Sequence, residues 1–318
     1  MRVDAHVHLS VWWPEVRRTG YRPDLEFTVV GLLREMDRSR LDYALAIQLV
    51  HAPSELEALE EGRTVAAASG GRLLPVVTVD PTRGERSVEA TVAALERDRS
   101  AVGIKLFPGY RPFYPHDRRL DPVYELARRH GLPVLVHQGD TLDGAGLLKY
   151  ARPIEVDEVA GRFPELRLVL CHLGNPWIEE AAEIVYKNPN VYADTSGLLP
   201  PPSSPYFRRA REIALRRVEE VVVSTGKPER FLYGSDWPLA EIRASVDLVE
   251  RLKLEPGDVD RILGENAAGL FRLKGAVAPR PEADKRRAAR RRGPERGTHA
   301  GSRQEVPAAP HRKVRISR

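Results

Sequence analysis

The feature that most constrains this chain is a repeated alternation. Short runs rich in Val, Leu and Ile, mostly apolar on both faces, alternate with longer stretches of helical period. The apolar runs fall at Arg2–Val7, Tyr43–Leu49, Leu73–Val79, Val102–Phe107, Val134–His137, Arg167–His172, Val191–Asp194 and Phe231–Ser235. Parallel strands covered by helices on their outer face read this way. Helical periods lie between them at Thr28–Arg38, Ser54–Ala68, Arg86–Arg97, Pro122–His130, Glu155–Phe163, Ile178–Lys187, Tyr206–Ser224 and Ala240–Leu252, with a last one at Asp258–Phe271. Stop signals such as His130-Gly131-Leu132-Pro133 and Arg162-Phe163-Pro164 punctuate the joints. Eight such units in about 270 residues fit an α/β fold of the (β/α)8, or TIM-barrel, type. A doubly wound sheet usually has fewer strands and a Gly-rich phosphate loop, and neither GxGxxG nor GxxxxGK[ST] occurs.

The alternation stops at the end of a domain spanning residues 1–274. Residues 275–318 are Arg-, Ala-, Gly- and Pro-rich and read as a disordered basic tail. The net charge of +5 divides accordingly: the tail holds 13 Lys+Arg against 4 Asp+Glu, the body 37 against 41. Basic character that would hint at a nucleic-acid partner therefore belongs to the tail alone. Lys285-Arg286-Arg287 and Arg290-Arg291-Arg292 suit a salt-sensitive electrostatic contact, but such runs are usually solvated ends, so nucleic acid is not the expected partner. No apolar run approaches the ~20 residues that span a bilayer. The N-terminus has no apolar signal stretch, so the expectation is a cytoplasmic protein without a membrane partner. The single cysteine, Cys171, excludes an internal disulfide and a multi-cysteine zinc site. If His172 faces the barrel axis, strand alternation turns Cys171 away from it, as a buried small hydrophobe.

In such a barrel the catalytic groups sit at the C-terminal ends of the strands. His6 and His8 form His-x-His at the end of the first run, on one face of a strand and about 7 Å apart along it. Alone the pair is a weak signal. His137 ends the fifth run, His172 the sixth and Asp236 the eighth, so four of the nine histidines and an Asp-Trp-Pro turn gather on one rim. Zn2+ takes neutral imidazole and carboxylate ligands, and a catalytic site keeps one position for water, whose pKa the metal lowers to about 7. No serine lies in a Gly-x-Ser-x-Gly elbow, which argues against a serine hydrolase.

With these residues in view the chain resembles the amidohydrolase superfamily, and within it the amidohydrolase-related family that includes aminocarboxymuconate-semialdehyde decarboxylase. The matching stretches are Asp4-Ala5-His6-Val7-His8, Gly103-Ile104-Lys105-Leu106, the His137 and His172 strand ends, Tyr233-Gly234-Ser235-Asp236-Trp237-Pro238 and Gly264-Glu265-Asn266-Ala267-Ala268-Gly269-Leu270-Phe271, in order from residue 2 to about 273. The resemblance implies one divalent metal held by His6, His8, His137 and Asp236: zinc first, manganese as the alternative. It implies that His172 is the acid/base and that Asp236 shares a proton with the attacking water. Lys105 stands at the fourth strand end, where many relatives carry a carboxylated lysine bridging two metals. A positively charged pocket residue, salt-bridged to Asp194 or Asp236, is the preferred reading here, ahead of that binuclear site. Family decarboxylases often follow the sixth-strand histidine with Gly-Glu, whereas this chain reads His172-Leu173-Gly174-Asn175-Pro176-Trp177. DNase-type barrels fit less well, since they carry a fourth-strand glutamate and end in Glu-Thr-Asp.

Trp12, Trp13, His51, Tyr110, Arg111 and Trp177 lie in stretches that follow the strands and are candidate pocket residues for a small, planar or carboxylated substrate. The expected function is a metal-dependent hydrolase in which metal-bound hydroxide attacks the carbonyl of an amide, lactone or ester. The alternative is a decarboxylase or hydratase of an unsaturated or aromatic carboxylic acid. A third reading, from another class, is a non-catalytic barrel whose tail binds nucleic acid. The resemblance admits a homodimer, though no interface is readable in the sequence.

Overall fold

The computed structural model of the chain describes residues 1–9, 25–48, 54–142, 144–201 and 203–273. Among them eight strands run as β1 (Val3–His8), β2 (Tyr43–Ile47), β3 (Leu73–Thr78), β4 (Gly103–Leu106), β5 (Val134–Val136), β6 (Leu168–Leu170), β7 (Val191–Asp194) and β8 (Phe231–Leu232). They pair in parallel in that order. The ring closes where the segment after β8 returns to β1. Ala5 N–H donates to the Tyr233 carbonyl at 2.9 Å, Asp236 N–H to that of His6 at 2.8 Å, and His8 N–H to that of Trp237 at 2.6 Å. The fold is the expected TIM barrel.

The helices between the strands are α1 (Val29–Arg38), α2 (Glu55–Ala68), α3 (Glu85–Arg97), α4 (Asp121–His130), α5 (Glu155–Arg162), α6 (Ile178–Lys187), α7 (Phe207–Thr225) and α8 (Ile242–Glu250). Thr28 and Ser54, which open two of the sequence-predicted helices, are caps. Their hydroxyls accept the N–H groups of Gly31 at 3.0 Å and Glu57 at 3.2 Å, each satisfying a donor the helix leaves orphaned. Alternate strand residues sort into two packing layers. Ala44, Ile104, Val134 and Leu168 pack with helix residues such as Leu32, Val123 and Val156. Leu45, Val76, Leu135 and Leu232 fill the barrel interior.

The last sequence-predicted helix, Asp258–Phe271, is broken into α9 (Pro256–Asp260), a wide turn over Arg261–Glu265 and α10 (Asn266–Leu270). The cause is a close approach: a Cβ on Gly264 would stand 2.4 Å from the Met1 carbonyl oxygen. The break leaves the Ile262 carbonyl to accept Tyr233 N–H at 2.8 Å. It also lets Ala267, Ala268 and Leu270 of α10 pack with the interior residues Val3 and Leu135. Several strands end earlier than the sequence suggests; β8 stops at Leu232, and β6 stops at Leu170, giving way to a tight turn over Cys171–Gly174. No helix among the described residues is long and apolar enough to cross a membrane.

Candidate metal centre

The site begins with an irregularity in β1. Asp4 pairs with Ala44 and Val7 with Ala46, so three steps of β1 oppose two of β2. Such a bulge re-aims side chains. Val3 and Ala5 pack in the barrel interior, but Val7 packs among the helices, and His6 and His8 take the inward positions beyond the bulge. The buried Asp4 anchors it, Oδ1 accepting the N–H groups of His6 at 3.1 Å and Ser235 at 2.9 Å. Burial pushes the Asp4 carboxyl up to about 7, and the hydrogen bonds from Ser235 and His6 offset only part of that.

Three ligand-type atoms then converge. His6 Nε2 lies 3.2 Å from His8 Nε2, His8 Nε2 lies 3.3 Å from Asp236 Oδ1, and His6 Nε2 lies 3.6 Å from the same oxygen. Bonds of 2.0–2.1 Å in a tetrahedral zinc site set ligand atoms about 3.3 Å apart, so this triangle has the dimensions of one face of such a site. Among the described residues, the buried Asp236 Oδ1 has no hydrogen-bond partner, which is costly unless a cation completes it. His6 Nδ1 donates to Asp194 Oδ2 at 2.9 Å, and this turns the Nε2 lone pair toward the triangle. His8 Nδ1 faces the Ile47 carbonyl at 3.4 Å. Asp236 has left-handed backbone (φ 66°), which directs its carboxylate back over β1. Burial alone would raise its pKa; the imidazoles of His172, His8 and His6 hold it far below the carboxylate range.

His137 and His172 stand beside this triangle, their ring centroids 5.0 Å apart and that of His172 4.7 Å from His6. His137 Nε2 donates to the Asp140 carbonyl at 2.9 Å, leaving Nδ1 as its lone-pair nitrogen. His137 is not one of the three converging residues. His172 reaches the rim by a route that strand alternation did not anticipate. Beyond β6 its backbone is left-handed (φ 59°), so Cys171 and His172 both serve the interior. Cys171 therefore faces into the barrel, not away from it as the sequence suggested. There it accepts a hydrogen bond from Lys105 Nζ at 2.8 Å.

Lys105 is fully buried beneath the rim, with Nζ also 5.0 Å from the Phe107 ring centre. Burial, followed by the Lys105 charge, lowers the pKa of His6 to about 3. Burial, His172 and Lys105 likewise push His137 well below the ordinary imidazole value. His172 is lowered by burial and Lys105, with Asp236 opposing. His6, His137 and His172 are thus biased toward the neutral form, the one in which an imidazole nitrogen binds a metal. Among the described residues, the salt bridge from Lys105 to Asp194 or Asp236 expected from the sequence does not form; Nζ goes to Cys171 instead. Asp194 and Asp236 are two buried carboxylates, a charge that a divalent cation suits.

Ser196 was not recognised from the sequence as part of the site, and Asp194 entered it only as a possible partner of Lys105. Asp194, at the end of β7, accepts His6 Nδ1–H on Oδ2 and the backbone N–H groups of His172 (2.9 Å) and Ser196 (3.0 Å) on Oδ1. Burial would raise its pKa, but His6, His172 and Lys105 hold it far below the usual range. Ser196 Oγ bonds Asp194 Oδ1 and lies 2.9 Å from His172 Nδ1 and 3.1 Å from His6 Nδ1. Gly197 follows with φ 66°; a Cβ there would stand 2.8 Å from His172 Nδ1 and 3.1 Å from Asp236 Oδ2. The signal available was positional: Asp194 occupies a strand end, like the other members of the rim.

Of the pocket candidates, Tyr110 packs edge-on against His137 at 4.7 Å, its hydroxyl accepting Leu142 N–H at 3.0 Å. Arg111 pairs with the buried Asp80 at 3.1 Å, an anchor that holds it to the β3 end of the rim. Trp177 carries the Arg152 guanidinium 4.8 Å above its ring. Trp12, Trp13, His51 and the stretch 275–318 lie outside the described residues.

Comparison with known proteins bears on the family and the fold. A family profile described as amidohydrolase matches residues 3–273. Protein fluG of Emericella nidulans is 33% identical over 104 residues, which cover 33% of this chain and only 11% of that protein. Among solved structures, an uncharacterized TIM-barrel protein from Bordetella bronchiseptica superposes with a TM-score of 0.67 at 19% identity, covering 85% of this chain and 98% of the other. The 5-carboxyvanillate decarboxylase of Sphingomonas paucimobilis gives 0.60 at 18% identity, with 85% and 98% covered. A probable 2-pyrone-4,6-dicarboxylic acid hydrolase from Acinetobacter baumannii gives 0.60 at 16% identity, with 86% and 99% covered. At such identities these structures speak to the fold alone.

Proposed function

The chain belongs to the amidohydrolase family, and from that premise we propose that it is a metal-dependent hydrolase acting on the carbonyl of an amide, lactone or ester in a small organic substrate. The observation that carries this reading is the triangle of His6 Nε2, His8 Nε2 and Asp236 Oδ1. We assign His6, His8, His137 and Asp236 to hold one divalent ion, zinc first and manganese second. Such an ion supplies Lewis acidity toward a carbonyl and a nucleophile from water at neutral pH.

The chain's own residues do the rest. Asp194 fixes His6 in the ligating tautomer. His172, neutral and on the same rim, takes a proton from the attacking water and returns it to the leaving group. Asp236 shares that proton. Lys105 gives the floor of the site a positive charge that draws an anionic substrate. Tyr110 and Phe107 pack against His137 and limit access of bulk water.

A second reading is a decarboxylase or hydratase of an aromatic or unsaturated carboxylic acid. The buried Lys105 favours it, since an ammonium suits a carboxylate substrate, as does the decarboxylase among the fold's relatives. Against it, the turn after His172 brings no carboxylate to that ring, and Ser196 faces Nδ1 instead.

Elemental analysis of the purified protein, followed by a turnover screen in isotopically labelled water, tests both. Hydrolysis of a lactone, ester or amide with label in the new carboxyl group supports the hydrolase. Carbon dioxide release, or water added without bond cleavage, moves the protein to the second reading. Protein that takes up neither zinc nor manganese overturns both.

A further inference from the structure

We propose that Ser196 is a positioning residue for His172: its hydroxyl, oriented by Asp194, accepts the proton on His172 Nδ1 and so presents an unprotonated Nε2 to the site. The inference rests on reading His172 as the proton-moving group, but its test needs neither metal nor substrate.

The argument is a count of protons. Ser196 has one hydroxyl hydrogen and two directions in which to use it, His172 Nδ1 at 2.9 Å and the carboxylate of Asp194 in shorter contact. Asp194 already acts as an acceptor, Oδ2 from His6 Nδ1–H and Oδ1 from the backbone N–H groups of His172 and Ser196. Two oxygens within hydrogen-bond reach, one of them already accepting, need the hydroxyl hydrogen between them, so Ser196 Oγ donates to Asp194 Oδ1. With the hydrogen spent there, Ser196 Oγ can only accept from His172, and the ring proton must sit on Nδ1. The other nitrogen, Nε2, has no hydrogen-bond partner among the described residues, so nothing there competes for the proton.

The backbone locks the arrangement. Asp194 Oδ1 also accepts the main-chain N–H groups of His172 and of Ser196, fixing where the ring starts and where the hydroxyl starts. Gly197 closes the remaining space, since any side chain there would meet His172 Nδ1. Ser196 Oγ is also 3.1 Å from His6 Nδ1, so one short stretch of β7 and its loop sets the tautomer of both a proposed ligand and the proposed base.

Nitrogen NMR of histidine labelled in the ring, recorded above neutral pH, reads the tautomer directly, with His172 assigned by its loss in His172→Gln. In the wild-type chain His172 Nδ1 gives a pyrrole-type and Nε2 a pyridine-type signal. In Ser196→Ala the proton passes to Nε2 in most molecules and the two signals exchange character, while His6, still held by Asp194, keeps its proton on Nδ1. Ser196→Cys, with a weak acceptor in the same place, shows the same exchange and serves if the alanine variant does not fold. A wild-type His172 protonated on Nε2, or a folded variant with the wild-type tautomer, overturns the proposal. Absence of metal uptake or turnover counts against the proposed function and leaves this result standing.

Discussion

His6 and Asp194 are 188 residues apart in the chain, and their Nδ1 and Oδ2 atoms meet at 2.9 Å in a fully buried pair. The pair links the first and seventh strands of the barrel and aims His6 Nε2 at His8 and Asp236. A carboxylate in this relation to a ligating imidazole raises its basicity and fixes its orientation. Asp194→Asn keeps the shape but removes the charge. Metal affinity is expected to fall about 10- to 100-fold, with the helical circular dichroism unchanged. Chelator competition measures it, and an undiminished affinity would sever Asp194 from the site.

The rim was legible in the sequence because barrel topology brings every C-terminal strand end to one face. Any polar residue ending an apolar run is therefore a neighbour of the others, which is how His6, His8, His137, His172 and Asp236 could be grouped. Asp194 and Ser196 satisfy the same rule but carry no pattern of their own, and their role depends on partners far away in the chain. Alternation also assumes regular strands. It was blind to the bulge that turns His6 and His8 inward and to the left-handed backbone at His172, and so it placed Cys171 on the wrong side.

Gly197 is required twice over. Its φ of 66° costs a residue with a side chain about 1–2 kcal/mol. The added Cβ would also press on His172 Nδ1 and Asp236 Oδ2. Gly197→Ala is expected to lose about 1–3 kcal/mol in urea denaturation and to bind metal less tightly, because the Asp236 carboxylate must move. Unchanged stability together with unchanged affinity would show that the loop yields freely.

Cys171 should be chemically silent. Burial raises its thiol pKa far above the ordinary value, and the nearby Lys105 charge lowers it only in part. Reaction requires the thiolate and access, and the folded chain provides neither. A thiol reagent at mildly alkaline pH is expected to modify the native protein only as fast as it opens, and the denatured protein at once. Rapid stoichiometric labelling of the native state would contradict the burial of the Lys105–Cys171 contact.

Asp4 gives the protein a stability term that runs against the usual direction for a carboxylate. Its folded pKa is about 7 against an ordinary 3.8, because burial outweighs the hydrogen bonds to Oδ1. Below pH 3.8 the carboxyl is protonated in both states, and its contribution is fully present. As pH rises through the window from 3.8 to about 7, the unfolded chain releases the proton while the folded chain retains it, and stability is lost. The loss amounts to at most about 4 kcal/mol at the top of the window. Asp4→Asn keeps an oxygen to accept from His6 and Ser235 but has nothing to titrate. The variant should therefore gain on the wild type as pH rises from about 4 to about 8, whatever its cost at low pH, since all other groups titrate alike in both. Urea denaturation of the metal-free proteins across that range measures the difference. A difference that stays constant with pH would mean that Asp4 ionises normally and that the bulge carries a buried charge.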